Sequence, residues 1–328
     1  MKKIIYISFT LSKHIGVRKK NLAQMEAWAA EGYKVEPVFD LESENILFRF
    51  LWRYIVLIRF FLFKKNPGAE IYLRQTICLP FMGVISGMRG FSYEVNADIG
   101  KEMGSYTGLK YLLHLIMRDS FIGRAKKVFF VSKELEVRLS AYVNGDTYVY
   151  ANSVSSVAKP KVLPRGTNVV FVGTDQYSWQ GVDHLMKLII KLPSYHFHLI
   201  GQFENEYNHI DNVSYHGVLD GDDYQNLMTH MDYSIGTLAF YRSGLSEGSP
   251  LKVRDYIAHD LPVILGYHDS DFYNSDFVLY IDMQCQSIDV KKITNFFECW
   301  STKSFVGRID DAVYFHNRER NRVSLICA

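Results

Sequence analysis

The chain has 328 residues, 48% apolar and 22% charged, which excludes a disordered, collagenous or low-complexity protein. Its net charge of +2 hides an asymmetry: residues 1–165 hold 25 Lys and Arg against 14 Asp and Glu, and residues 166–328 hold 12 against 21. A basic half next to an acidic one points to an anionic partner for the first: phosphate-bearing lipid, nucleic acid or nucleotide. Cys78, Cys285, Cys299 and Cys327 lie far apart with no CxxC or Cys/His cluster, so neither a disulfide framework nor a zinc site is supported, and a reducing cytoplasm fits.

In chain order, Met1-Lys2-Lys3 precedes an apolar run that resembles a secretory leader. The run is short, however, and Ser12-Lys13-His14 is no cleavage site. Residues 3–9 therefore read as a buried first strand, followed by a loop holding Gly16, a helix over 19–31 and a strand over 33–39. Residues 46–63 (ILFRFLWRYIVLIRFFLF) are the most lipid-like stretch. Each arginine at a bilayer centre costs ~2.5–3.5 kcal/mol while each Leu or Phe returns only ~0.3–0.6, so the two sums nearly cancel and a stable span is not expected. At helical spacing Arg49, Arg53, Arg59 and Lys64 share one side. Either an interfacial helix or a domain helix packed on a sheet has this pattern. Residues 109–127 are similarly basic and amphipathic.

Short strands follow at 70–74, 90–95, 127–132 and 147–151, with helices between them. Residues 152–167 (NSVSSVAKPKVLPRGT) read as a linker. The alternation then restarts: strand 168–173, helix 182–191, strands 195–201 and 212–217, helix 222–231, strand 232–238, helix 250–259 and strand 262–265. Residues 304–328 are polar and partly helical in pattern. Strands alternating with helices predict parallel sheets covered on both faces. The expected architecture is α/β: two doubly wound Rossmann-like domains facing across a cleft, 1–160 and 161–303, with 304–328 packing back on the first. A ligand would then lie outside the carboxyl ends of the strands.

The chemistry concentrates in residues 242–256 (RSGLSEGSPLKVRDY). Ser249 is a good helix N-cap and Pro250 suits the first helical position. A glycine-bearing loop feeding a helix N-terminus favours an anion. Glu247 sits before the helix and Asp255 within it, with Lys252 and Arg254 near enough to neutralise a diphosphate. Carboxylates accept hydrogen bonds from hydroxyls, so the two acids can hold a sugar and a ribose on either side of that diphosphate.

Glu247, seven residues, then Asp255 resembles the acidic pair of retaining nucleotide-sugar glycosyltransferases of the GT-B fold, from the bacterial group that builds O-antigen and capsule. That family usually has Glu at the second position. Gly16-Val17-Arg18-Lys19-Lys20 resembles its first glycine loop. Trp179-Gln180-Gly181-Val182-Asp183 resembles the loop opening the first helix of its nucleotide domain. Residues 249–264 resemble its donor helix and next strand.

The resemblance implies that Glu247 binds donor-sugar hydroxyls and Asp255 the ribose. Backbone groups of Gly248, Ser249 and Leu251, with Lys252, would face the phosphates, helped by Gly173, Arg242 and Arg254, and Gly16 would allow close approach. The first domain would be the acceptor side, with Glu94 or Asp98 facing the cleft, and the second the donor domain. No metal or other cofactor is expected. Thr174 and Gln180 stand where the family often has Arg and Lys, and Lys252, Arg242 or Arg254 can substitute.

The expected partners are a nucleotide-sugar donor, a glycan or lipid-linked glycan acceptor and the anionic inner face of the cytoplasmic membrane. A nucleotide-sugar epimerase and a non-catalytic nucleotide-sugar or glycan-binding module are the rivals. A nucleic-acid binder explains neither Glu247 and Asp255 nor the acidic second half.

Overall fold

The computed structural model describes residues 2–12, 14–76, 80–98, 109–155, 161–203, 210–284 and 288–328, with the side chains of 109–114 left out. Cys78, Cys285, the centre of the expected linker and the expected 160/161 boundary lie outside the described residues. The chain forms two compact units, Met1–Ala151 with His316–Ala328, and Asn152–Phe315. Asn152 belongs with the second unit because its N–H donates to Ser249 Oγ at 2.8 Å. Arg165, in the expected linker, is buried and bonds Asp260 at 3.1 Å. Residues 304–315 also stay with the second unit: the Phe305 ring stacks on Phe277 at 4.2 Å, and Phe315 N–H donates to Val154 O at 2.7 Å.

In the first unit, β1 (Lys3–Ser8), α1 (Ile15–Ala30), β2 (Lys34–Phe39), α2 (Ile46–Leu57), β3 (Glu70–Arg74), α3 (Met82–Ser86), β4 (Ser92–Val95), α4 (Leu109–Ile122), β5 (Lys127–Phe130), α5 (Lys133–Leu139) and β6 (Asp146–Val149) alternate along the chain. The sheet order is β2-β1-β3-β4-β5-β6, all parallel. Ile4, Ile5, Tyr6 and Ile7 are fully buried, as a central parallel strand covered on both faces requires. Pro37 sits in β2 because β2 is an edge strand that can spare a donor.

In the second unit, β7 (Asn168–Thr174), α6 (Val182–Lys191), β8 (His196–Gln202), β9 (Val213–Tyr215), α7 (Gly221–Thr229), β10 (Tyr233–Ile235), β11 (Glu247–Gly248), α8 (Leu251–Ala258), β12 (Val263–Leu265), β13 (His268–Asp269), β14 (Val278–Tyr280) and α9 (Val290–Trp300) follow. Its six-stranded sheet has the order β14-β12-β10-β7-β8-β9, and β11 pairs with β13. The last helix, α10 (Phe315–Cys327), returns to the first unit.

What holds α10 there is a buried charge cluster. Glu94 on β4 is fully buried, and its carboxylate takes ion pairs from Lys20 at 2.8 Å, Arg74 at 2.5 Å and Arg322 at 2.6 Å, plus the Tyr72 hydroxyl. Burial alone would raise its pKa, but the three cations together hold it well below the usual carboxylate range. Burial pushes the Lys20 ammonium down to about 7, against the pull of Glu94. A second carboxylate, Glu319 on α10, accepts from Gln24 at 2.9 Å and from the Trp28 indole at 3.1 Å. Around it Tyr6, Trp28 and Tyr72 pack edge-on and tilted, with Val323 and Ile326 of α10 closing the cluster.

Breaking a buried pair by removing one partner costs about 3–5 kcal/mol, because it strands the other charges. Glu94→Gln should therefore lower the unfolding free energy by that amount in urea. The sign of the pH dependence follows from the depressed pKa: the Glu94 contribution is complete above the unfolded value near 4.3 and fades as pH falls below it. The gap between wild type and Glu94→Gln should accordingly narrow in acid. A gap under 1 kcal/mol at pH 7 would contradict the hub.

Candidate functional site

The segment that carries the acidic pair lies in the second unit. After β10 the chain makes a 3-10 turn at Phe240–Ser243, reverses at Gly244 with φ of +71°, and forms β11 before entering α8. Glu247 pairs with His268 and Gly248 with Asp269 in the short β11–β13 ladder, which fixes the backbone on both sides of the half-buried Glu247. A side chain at Gly248 would press on the Phe240 ring at 2.9 Å, so the close approach there demands glycine.

The helix starts one residue later than expected. Pro250 is the N-cap, with ψ of 140°, and no side chain caps α8. Ser249 is not a cap: its buried Oγ accepts from the Asn152 backbone and from Arg254 Nη2 at 2.6 Å. Arg254 likewise turns away from solvent. It is 2% exposed and bonds Asp269 at 2.7 Å, Asp271 at 2.9 Å and the Asn152 carbonyl at 2.6 Å. Expected as a phosphate contact, it is placed as the brace that fixes residue 152 and the loop after β13 to the start of α8.

Lys252, the second residue of α8, reaches the carboxyl end of β7. Its ammonium donates to Val172 O at 2.9 Å and Gln180 Oε1 at 3.2 Å, over the Phe171 ring at 4.3 Å. Burial lowers its pKa to about 7. Gly173 completes this corner: a Cβ there would meet Gln180 Oε1 at 2.2 Å. Tyr256 fastens the same helix to β7 by accepting the Val172 N–H at 2.7 Å. Asp255 faces α7, where the Tyr224 hydroxyl donates to its Oδ2 and His259 Nδ1 lies 3.7 Å from Oδ1. Its side chain keeps 28% of its surface exposed. Arg242 grips Asp183 with two bonds, at 2.7 and 2.8 Å, and also bonds the Ser178 carbonyl, pinning the start of α6. Hydrogen bonding to Arg242 lowers the Asp183 pKa to about 2.

The expected residues of the first unit are placed differently. Gly16 lies in the first turn of α1 and not in a loop, with open space beyond its Cα. Glu94 is the fully buried hub, its carboxylate occupied by four donors and not exposed at the surface. Asp98 is 6% exposed and pairs with Arg118 at 3.2 Å.

Sequence reasoning missed the concavity that does open in this unit. It has a volume of about 360 Å³ and lies at the carboxyl ends of β1, β3 and β4, lined by Thr10, His14, Arg49, Arg53, Arg74 and Asn96 among others. In the order β2-β1-β3 the winding reverses between β1 and β3, the position where open α/β sheets take ligands. Arg49 Nε and both side-chain polar atoms of Asn96 are buried without a hydrogen-bond partner. The signal available in the sequence was Arg49 and Arg53, four apart on one helix. Among the described residues no cluster of His, Cys, Asp or Glu could hold a metal ion.

No family model and no curated protein matches the chain. Solved structures do. A sucrose-phosphate synthase from Thermosynechococcus elongatus is 13% identical over 99% of this chain and 98% of that one, with a TM-score of 0.73. Anabaena HepE, in complex with UDP and glucose, is 13% identical over 100% of this chain and 99% of that one, at 0.62. The lipopolysaccharide outer core galactosyltransferase WaaB, in its apo form, is 12% identical over 99% of each chain, at 0.61. The chain has the GT-B fold of these proteins, and at such identities the likeness establishes the fold.

Arg254→Ala should lower unfolding free energy by about 3–5 kcal/mol, because Asp269 and Asp271 lose a buried partner. Arg242→Ala should cost under about 1 kcal/mol, since Asp183 is half exposed. Urea unfolding of both variants checks the assignment, and equal losses would contradict it.

Proposed function

We propose that the chain is a metal-independent glycosyltransferase. It moves a sugar from a nucleotide-sugar donor, with retention of configuration, to a growing surface glycan linked to polyprenyl diphosphate at the inner face of the cytoplasmic membrane. The observation that carries this reading is the corner of the second unit. There an uncapped helix start, Lys252 and Gly173 converge at the end of β7, while Glu247 and Asp255 lie on the segments leading into and along the same helix. Free N–H groups and a cation favour a diphosphate, and stabilising its departing charge is usually the largest catalytic contribution. Glu247 would accept from the donor-sugar hydroxyls. Asp255 would accept from the ribose, with Tyr224 orienting it. That Lys252 bonds Gln180 supports its substitution for the missing Arg and Lys. HepE, similar in fold, is described with UDP and glucose, which also supports a nucleotide-sugar donor.

Glu247→Ala should abolish transfer, at least 100-fold in rate, and leave folding intact. Asp255→Ala should weaken nucleotide binding more than it lowers stability. Nucleotide titration calorimetry and a transfer assay check both, and wild-type behaviour in the two variants would remove the assignment. Donor hydrolysis or epimer formation without transfer would favour an epimerase; binding without turnover would favour a binding module.

The Lys252 pKa near 7 gives a pH test. A diphosphate beside the ammonium favours its charged form, so above pH 7 binding takes up a proton. Affinity should fall as pH rises from 7 to 9, and Lys252→Met should bind more weakly and lose that slope. An unchanged slope in the variant would show that another group titrates.

A further inference from the structure

The concavity of the first unit has its own charge balance. Three arginines line it, and two of them already hold a carboxylate. Arg53 bonds Asp40 through Nε and Nη2, with the closest contact at 2.6 Å, and Arg74 pairs with Glu94 at 2.5 Å. Arg49 does not. Among the described residues no acid pairs with it, and its Nε is buried without a hydrogen-bond partner. Asn96 lines the same space, with its amide nitrogen and oxygen both buried and unpartnered. Its backbone holds it in place: the Asn96 and Ala97 N–H groups donate to Gln75 Oε1 at 2.7 and 2.8 Å, and Gln75 Nε2 donates to the Ala97 carbonyl at 2.6 Å. Buried polar atoms are normally paired, and leaving them unpaired is costly. An open guanidinium and an open amide on one concave surface therefore mark a ligand site.

The groups left open define the ligand. One unpaired guanidinium balances one negative charge, and its planar fork matches a carboxylate. A diphosphate would bring more charge than the site neutralises, since Asp40 and Glu94 already occupy the other two arginines. An amide with a free donor and a free acceptor matches hydroxyls, which both donate and accept. Phe9, Leu11 and Val17 supply an apolar wall for the C–H face of a ring. The volume of about 360 Å³ is near the lower end of the roughly 300–1,000 Å³ of small-molecule sites, which suits one sugar ring. We propose that this concavity binds an acidic sugar, with its carboxylate on Arg49 and its hydroxyls on Asn96. In the proposed transfer this makes the accepting end of the glycan a residue of the uronic acid type. That role rests on the reading of the first unit as the acceptor side; the binding itself rests on the concavity alone.

The test titrates the full chain with methyl glucuronide, methyl glucoside and inorganic phosphate, followed by ligand-observed NMR. The glucuronide should bind at least ten-fold tighter than either of the others. Arg49→Gln should lose at least ten-fold for the glucuronide and leave the glucoside unchanged, whereas Asn96→Ala should weaken both sugars. Neither substitution strands a partner, and the melting temperature with a nucleoside diphosphate titration checks that each variant stays folded. Equal binding of glucuronide and glucoside would overturn the proposal. So would phosphate that binds as tightly as the glucuronide, or an Arg49→Gln variant that binds the glucuronide as wild type does. Absent glucuronide binding with intact nucleotide binding sinks only the acidic-sugar site. Glucuronide binding without nucleotide binding sinks only the donor reading.

Discussion

A single buried carboxylate orders the first unit. Glu94 carries one negative charge among three cations drawn from α1, β3 and α10, elements distant in sequence but adjacent in space. Removing charges from water is costly, and the interior repays it only when every partner is in place. That condition ties the helix before β2, the strand that ends at the concavity and the last helix of the chain into one arrangement. Arg74 belongs to both features: it pairs with Glu94 and lines the open concavity. The hub thus fixes one wall of that concavity as well as the fold.

Arg254 has the same part in the second unit, with the signs reversed. One buried cation between Asp269 and Asp271 also grips Ser249 and the Asn152 carbonyl. It therefore sets where α8 begins, and with it the uncapped N–H groups and Lys252. In the first unit a buried charge positions a wall of the concavity, and in the second the start of α8, without lying on either.

The parallel architecture was legible because its strands are continuous apolar runs: residues 3–9 and 168–173 could be little else. Boundaries moved where polar side chains had partners far along the chain. Ser249 before Pro250 reads as a cap, yet its hydroxyl is taken by residues 152 and 254. The segment around Glu319 and Arg322 reads as polar, partly helical and packed on the first domain, but that its inner face matches Glu94 and the α1 polar face is a complementarity visible only once folded. Glu94 stands near a strand end and so reads, with Asp98, as facing the cleft, and local sequence does not reveal that Lys20, Arg74 and Arg322 surround it. The signal for α9 is present in the sequence, since Ile293, Phe297 and Trp300 show helical spacing and are all buried. The orientation of α2 was half legible: its amphipathic pattern was plain, but which face turned inward depended on Asp40 and the concavity.

The central claim is that the corner formed by β7 and the start of α8 holds a nucleotide diphosphate. A thermal-shift screen against a panel of nucleoside diphosphates and nucleotide sugars, without added metal, tests it most directly. Ligand at 100 times its dissociation constant stabilises the folded state by ~2.7 kcal/mol. A clear rise in melting temperature with one base, lost in Lys252→Met, is expected. No rise with any nucleotide would contradict the claim and leave the missing Arg and Lys at positions 174 and 180 as the fact to explain.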